Sequence, residues 1–367
     1  MSIRASSALT HATALSSRST IPRAVVAVTV VMTVLLLVEP VGSARALAPP
    51  QVAYVSVGNG PGQALYDQRN GDILVLNLID NTVSILDGRT NAVLQTVPAG
   101  SGPDVAAFDL SNGDVYVTDA NTNQVTVLDG SSGATVATIS VAPSILPQGI
   151  AYDSQNGYLY VVNSGTFPNP TYQNSNTVSV IDGRTNTLVA TIPDTYAPLA
   201  TSFLLLDVYD PQTGYVYISD EGYGIQVLNP TTDTFVANIV TPSNYAVAYD
   251  QGNGGVYGFG YPAGPVPNST VSTIDPRTNT IVQTTALPSS CIIPGMGSTD
   301  LRNGLVYIAC YGTPNTVAVF DPTSNAIVQD FSVGGSAYYT VGGAYDVRTG
   351  AIYIPVPSAA SVAVVYP

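Results

Sequence analysis

Residues 102–141 alternate short apolar runs with polar turns: GPDVAAFDLSNGDVYVTDANTNQVTVLDGSSGATVATISV. The apolar runs at 105–108, 114–118, 124–128 and 135–141 have strand length. Asp109-Leu-Ser-Asn-Gly113 separates the first pair and Asp129-Gly-Ser-Ser-Gly133 the last. In such pentads the leading Asp can accept bonds from backbone N–H groups two or three residues on, and the closing Gly tolerates positive φ. The pattern predicts a four-stranded antiparallel meander, too small to bury both of its faces alone.

The meander recurs. Asp-x-x-[Asn/Thr]-Gly begins at Asp67, Asp109, Asp153, Asp210, Asp250, Asp300 and Asp346, at spacings of 40 to 57 residues. An aromatic precedes six of these anchors (Tyr66, Phe108, Tyr152, Tyr209, Tyr249, Tyr345), with Thr299 the exception. The following strand carries Tyr at a fixed offset (116, 160, 217, 257, 307, 353), with Leu74 in the first copy. Both sides of these strands are apolar, as in Val115-Tyr116-Val117, which predicts sheets stacked on sheets.

The second turn recurs at Asp87, Asp129, Asp182, Asn229, Asp275 and Asp321, but the seventh copy ends before it. That copy is one strand short, while the apolar stretch 52–57 is one strand too many. The prediction is an all-β, seven-bladed β-propeller of four-stranded antiparallel blades, its ring closed when strand 52–57 completes the last blade. Blades are expected at about 60–100, 102–142, 146–194, 200–240, 243–287, 290–334 and 338–367 plus 51–58.

Tyr116-Val-Thr-Asp119 and Tyr160-Val-Val-Asn163, in repeats of this length, resemble the YVTN-type β-propeller family of exported and surface proteins over residues 51–367. Tyr257-Gly-Phe-Gly260 and Tyr307-Ile-Ala-Cys310 depart from that signature. The resemblance implies the fold. Distantly related propellers include lactonases and amine-dehydrogenase subunits, so it does not imply one activity.

Composition narrows the chemistry. The chain carries a formal charge of −14, has no Trp or Lys, and has a single His at position 11. Beyond residue 46, six Arg oppose 23 acidic residues, a balance that disfavours nucleic acid. Without His or Lys there, His-based triads, haem or copper ligation and Schiff-base chemistry are excluded from that region. Residues 1–23 carry Arg4, Arg18 and Arg23 and no acid, and a 15-residue largely apolar run follows at 24–38. Residues 1–46 therefore read as a signal peptide or an N-terminal membrane anchor. The protein is expected to be extracytoplasmic (secreted, periplasmic or at the cell surface) and monomeric.

Long connections at 163–176, 191–201, 259–269 and 287–295 all fall at one end of the ring. Irregular loops on a rigid scaffold are where binding concentrates. The ligand-binding candidates on that face are Asp119, Asn163, Phe167, Tyr172, Asp220, Glu221 and Tyr261. Against this, an Asp or Asn that ends a strand more often caps local backbone. No catalytic residue, metal ligand or cofactor is assigned, although loop carboxylates could accept calcium. Cys291 and Cys310 flank the first hairpin of the sixth blade and are expected to form a disulfide. Asn268-Ser-Thr270 is a glycosylation sequon. The sum favours an exported, non-enzymatic scaffold that binds a protein, glycan or cell-envelope component through its loop-rich face. The alternatives are a carboxylate- or calcium-assisted lactonase or hydrolase at the axis, and an accessory subunit of a periplasmic redox complex.

Overall fold

Each Asp-led pentad closes a hairpin by the same bonds in the computed structural model. In the second blade Gly113 N donates to Asp109 O (2.8 Å), while Ser111 N and Oγ donate to the Asp109 carboxylate (2.8 and 2.7 Å). The closing glycines of all seven pentads have φ between 72° and 88°, a region costly for any residue with a Cβ. The leading aspartates are 0 to 3% exposed.

The residues described are 47–164, 176–195, 204–241, 244–261, 268–336 and 341–367. The chain divides into two units, residues 1–45 and 46–367. The expected signal peptide or anchor lies outside the described residues. Among the described residues no helix is long and apolar enough to cross a membrane.

The second unit is a ring of seven four-stranded antiparallel sheets. The second blade comprises Pro103–Phe108, Asp114–Asp119, Gln124–Asp129 and Thr135–Ser140, ordered from the axis outward. Blades 1 and 3 to 6 span 61–98, 147–193, 204–239, 246–286 and 293–334. In blade 7, Ala344–Tyr345, Ile352–Val356 and Ser361–Tyr366 are joined by Gln51–Ser56, which pairs with Ser361–Tyr366 as the outer strand. The ring closes as the strand count predicted.

Blade 7 has a second closure. Its innermost strand is only two residues long, but the segment before it bonds to both neighbours. Val341 N donates to Gly62 O (2.7 Å), Ala64 N to Gly342 O (3.1 Å) and Met296 N to Val341 O (2.7 Å). A Cβ on Gly342 would stand 2.9 Å from that of Met296, so only glycine permits this approach.

Blades stack through their second strands, where Val115, Tyr116 and Val117 are at most 1% exposed. Tyrosine hydroxyls tie blades 2, 4 and 7 to the blade that follows. Tyr217 Oη donates to Asn279 Oδ1 (2.7 Å) and Tyr353 Oη to Asn91 Oδ1 (2.7 Å). Arginines do the same across the closure. Arg302 donates to Thr349 O and Gly350 O, Arg348 to Asn70 O, and Arg69 to Asn112 O and Gly113 O.

On the outer strands a bulge recurs at one position, ejecting Leu94, Val136, Val189, Val236 and Val282 toward solvent. A bulged edge resists pairing with a second chain.

Candidate functional site

The last residue of each second strand is the position that the Tyr-x-x-[Asp/Asn] pattern nominates at the loop-rich face. In blades 1 to 4 it is Asn77, Asp119, Asn163 and Asp220, each 0% exposed. All four are bonded to the third strand of their own blade. Asn77 Nδ2 donates to Ser84 Oγ (3.0 Å), and Asn163 Nδ2 to Ser179 Oγ (3.0 Å). Thr126 Oγ1 donates to Asp119 Oδ2 (2.6 Å), and Gln226 Nε2 to Asp220 Oδ2 (2.7 Å). In blade 6 the same position is Cys310, which forms a disulfide with Cys291.

In blades 1 and 2 the loop entering the blade seals this position. A Cβ on Gly100 would fall 1.9 Å from the Asp119 carboxyl carbon, and one on Gly58 2.7 Å from the Asn77 amide carbon. Backbone lies directly over both groups. Burial pushes the Asp119 carboxyl up to about 6, opposed by the Thr126 hydroxyl. Its other oxygen has no hydrogen-bond partner. Asp194 also accepts from the Gln226 amide (2.9 Å), so the space a cation would take between Asp194 and Asp220 holds an N–H donor instead.

Two further candidates are partly open to solvent on the loop face. The Tyr261 hydroxyl donates to the Glu221 carboxylate, and its ring meets Tyr245 edge-on at 6.3 Å. Asn268 is half-buried. Phe167 and Tyr172 lie outside the described residues. Among the described residues no group of three or more His, Cys, Asp or Glu is placed to hold a metal. The structure thus pairs Glu221 with Tyr261 but brings Asp119, Asn163 and Asp220 to no common site.

The turn-rich face, opposite the long loops, holds a concavity that none of the candidates named from the sequence lines. Two adjoining pockets open there along the axis, of about 460 and 260 Å³, sharing Tyr66, Gln68, Tyr249, Gln251 and Gly297. The larger is walled by Phe108, Tyr152, Tyr209 and Tyr249, four of the aromatics that precede the anchors. Asp207 lies in its lining, 4% exposed. By register it occupies the position of Ala106 in blade 2 and Ile150 in blade 3. Gly149 of blade 3 makes room for it, since a Cβ there would stand 2.5 Å from Asp207 Oδ1. Burial pushes the Asp207 carboxyl well above the usual carboxylate range, with only a backbone amide of Ala151 and its own opposing. The sequence signal for this concavity is the regular spacing of the pre-anchor aromatics.

No family model matches the chain, and no curated protein matches it. Among solved structures, hydrazine synthase of Kuenenia stuttgartiensis superposes with a TM-score of 0.68 at 17% identity, covering 85% of this chain and 97% of that one. A likeness at that identity is one of fold. By sheet order and by this comparison, the chain is a seven-bladed β-propeller.

Proposed function

We propose that the protein is an exported, non-enzymatic scaffold, similar to YVTN-type propellers, that binds a protein, glycan or cell-envelope component through its loop-rich face. The observation that carries this reading is the fate of Asp119 and Asp220. They are the strongest acid–base candidates at the ends of the second strands, and both are fully buried and bonded within their blades. A general acid or base must reach the proton it moves, and a sealed carboxyl does not. What the face offers a partner is its loops, with the Glu221–Tyr261 pair and the exposed apolar side chains of Ile79, Val240 and Ile292. A rigid ring that presents variable loops suits recognition.

Retention of the purified protein by native envelope fractions tests this. Wild type is expected to be retained, and Glu221→Ala/Tyr261→Ala to be retained at least about tenfold less. No retention of the wild type, or equal retention of the folded variant, would overturn the reading.

A further inference from the structure

We propose that the axial funnel on the turn-rich face is a second binding site, specific for an organic ammonium ion held among Tyr152, Tyr209, Tyr249 and Asp207. The inference does not depend on the loop-face reading, because the two sites lie at opposite ends of the ring.

Three observations carry it. The larger lobe is lined by Tyr152, Tyr209 and Tyr249, besides Phe108 and Tyr66, whose rings already carry Arg69 and Arg348 at 5.1 and 5.9 Å, and no basic residue enters its lining. Aromatic faces attract cations through their quadrupole, most effectively where water is partly excluded. Next, Asp207 lines this lobe and is almost fully buried, and no side chain partners either carboxylate oxygen, which face only the backbone amides of Ala151 and of Asp207 itself. Burial favours the neutral acid of an isolated Asp207; an ammonium seated beside it would hold it ionised and supply the charged partner that no side chain here provides.

The third observation is the distribution of charge around the ring. All seven blades place a buried anchor aspartate at this face. In blades 6, 7 and 1 an arginine pairs with it: Arg302 with Asp300 (3.1 Å), Arg348 with Asp346 (3.7 Å) and Arg69 with Asp67 (3.7 Å). In blades 2 to 5 the arginine position holds Ser111, Gln155, Gln212 and Gly252, so Asp109, Asp153, Asp210 and Asp250 have no cation there. Blades 2 to 5 supply most of the lining of the lobe that contains Asp207, with Tyr66 and Gln68 of blade 1 and Met296 and Gly297 of blade 6 completing it. Buried carboxylates behind low-dielectric walls focus the field into a cleft, and on the side of blades 2 to 5, away from Arg69 and Arg348, that field favours a cation.

The ammonium could be a free amine or a lysine side chain of a peptide. Titration calorimetry of the purified chain with choline, with N-acetyl-lysine amide and with 3,3-dimethyl-1-butanol, the neutral isostere of choline, tests the site and separates the sources. Saturable binding of either ammonium is expected, and the tighter of the two identifies the source. The neutral alcohol should bind at least about tenfold more weakly than choline if choline is the ligand. Asp207→Asn and Tyr249→Leu should each weaken binding about tenfold while the circular dichroism spectrum is kept. Glu221→Gln, at the opposite face, should leave it unchanged. The proposal fails if neither ammonium binds, if the alcohol binds as tightly as the tighter of the two, or if a folded Asp207→Asn or Tyr249→Leu variant binds like wild type.

Discussion

The Tyr116 hydroxyl of the second blade lies 2.5 Å from Asn186 Oδ1 in the third, and donates as well to Gly183 O at 2.9 Å. Asn186 closes its turn at φ 55°, and its amide carbonyl accepts the neighbour's phenol. Tyr217 with Asn279 and Tyr353 with Asn91 repeat the arrangement. In the first blade Leu74 replaces the tyrosine, and the corresponding turn residue of the second blade is Gly133, which has no carbonyl side chain to satisfy. Donor and acceptor are lost together.

Tyr116→Phe removes the donor to the part-buried Asn186 Oδ1, while Gly183 O keeps only the longer bond from Asn112 Nδ2 (3.2 Å). Unfolding in guanidinium chloride should show a loss of about 1 to 3 kcal/mol. Leu74→Phe, which alters no hydrogen bond, serves as a packing control. A Tyr116→Phe variant as stable as wild type would mean that the phenol is not a joint between blades.

The Asp119 carboxyl predicts a pH effect. Its folded pKa of about 6 lies above the usual carboxylate value, so the folded chain holds this proton more tightly than the unfolded one. The associated stability is complete below about pH 4 and is lost as the pH rises through about 6. Sister blades carry Asn at this position. Asp119→Asn should therefore match wild type near pH 4 and exceed it by on the order of 2 kcal/mol near pH 7.5. A difference independent of pH would contradict the burial assigned to this group.

The Cys291–Cys310 bridge spans 19 residues of sequence. Closing a loop of that length constrains the unfolded chain by about 3 kcal/mol. Cys291→Ala/Cys310→Ala should lose about that much stability on chemical denaturation, with a further small cost for the two buried side chains. No loss would show that the bridge leaves the unfolded ensemble unconstrained.

Much of the architecture was legible because it rests on local chemistry that repeats. Asp109 and Gly113 specify a corner by themselves, and the missing seventh turn together with the surplus strand at 52–57 specifies the closure. The site was less legible because access is a tertiary property. Asp119 looks available at a strand end until Gly100, 19 residues earlier, brings backbone across it. Asp207 sits in Leu204-Leu-Leu-Asp-Val-Tyr-Asp210 and reads as one more strand residue. Its isolation comes from register against its sister blades and from the vacancy at Gly149. The outer-strand bulges left no mark either, since Val136 and Val189 continue the apolar pattern they interrupt.

The central claim is that the repeated Asp and Asn positions build the ring and do no chemistry. Hydrolysis of a panel of lactones and esters by wild type and by Asp119→Asn/Asp220→Asn, measured side by side, tests it most directly. The account predicts that neither protein exceeds the uncatalysed rate, while the variant folds and is retained by envelope fractions as wild type is. Turnover by wild type that the folded variant lacks would contradict it.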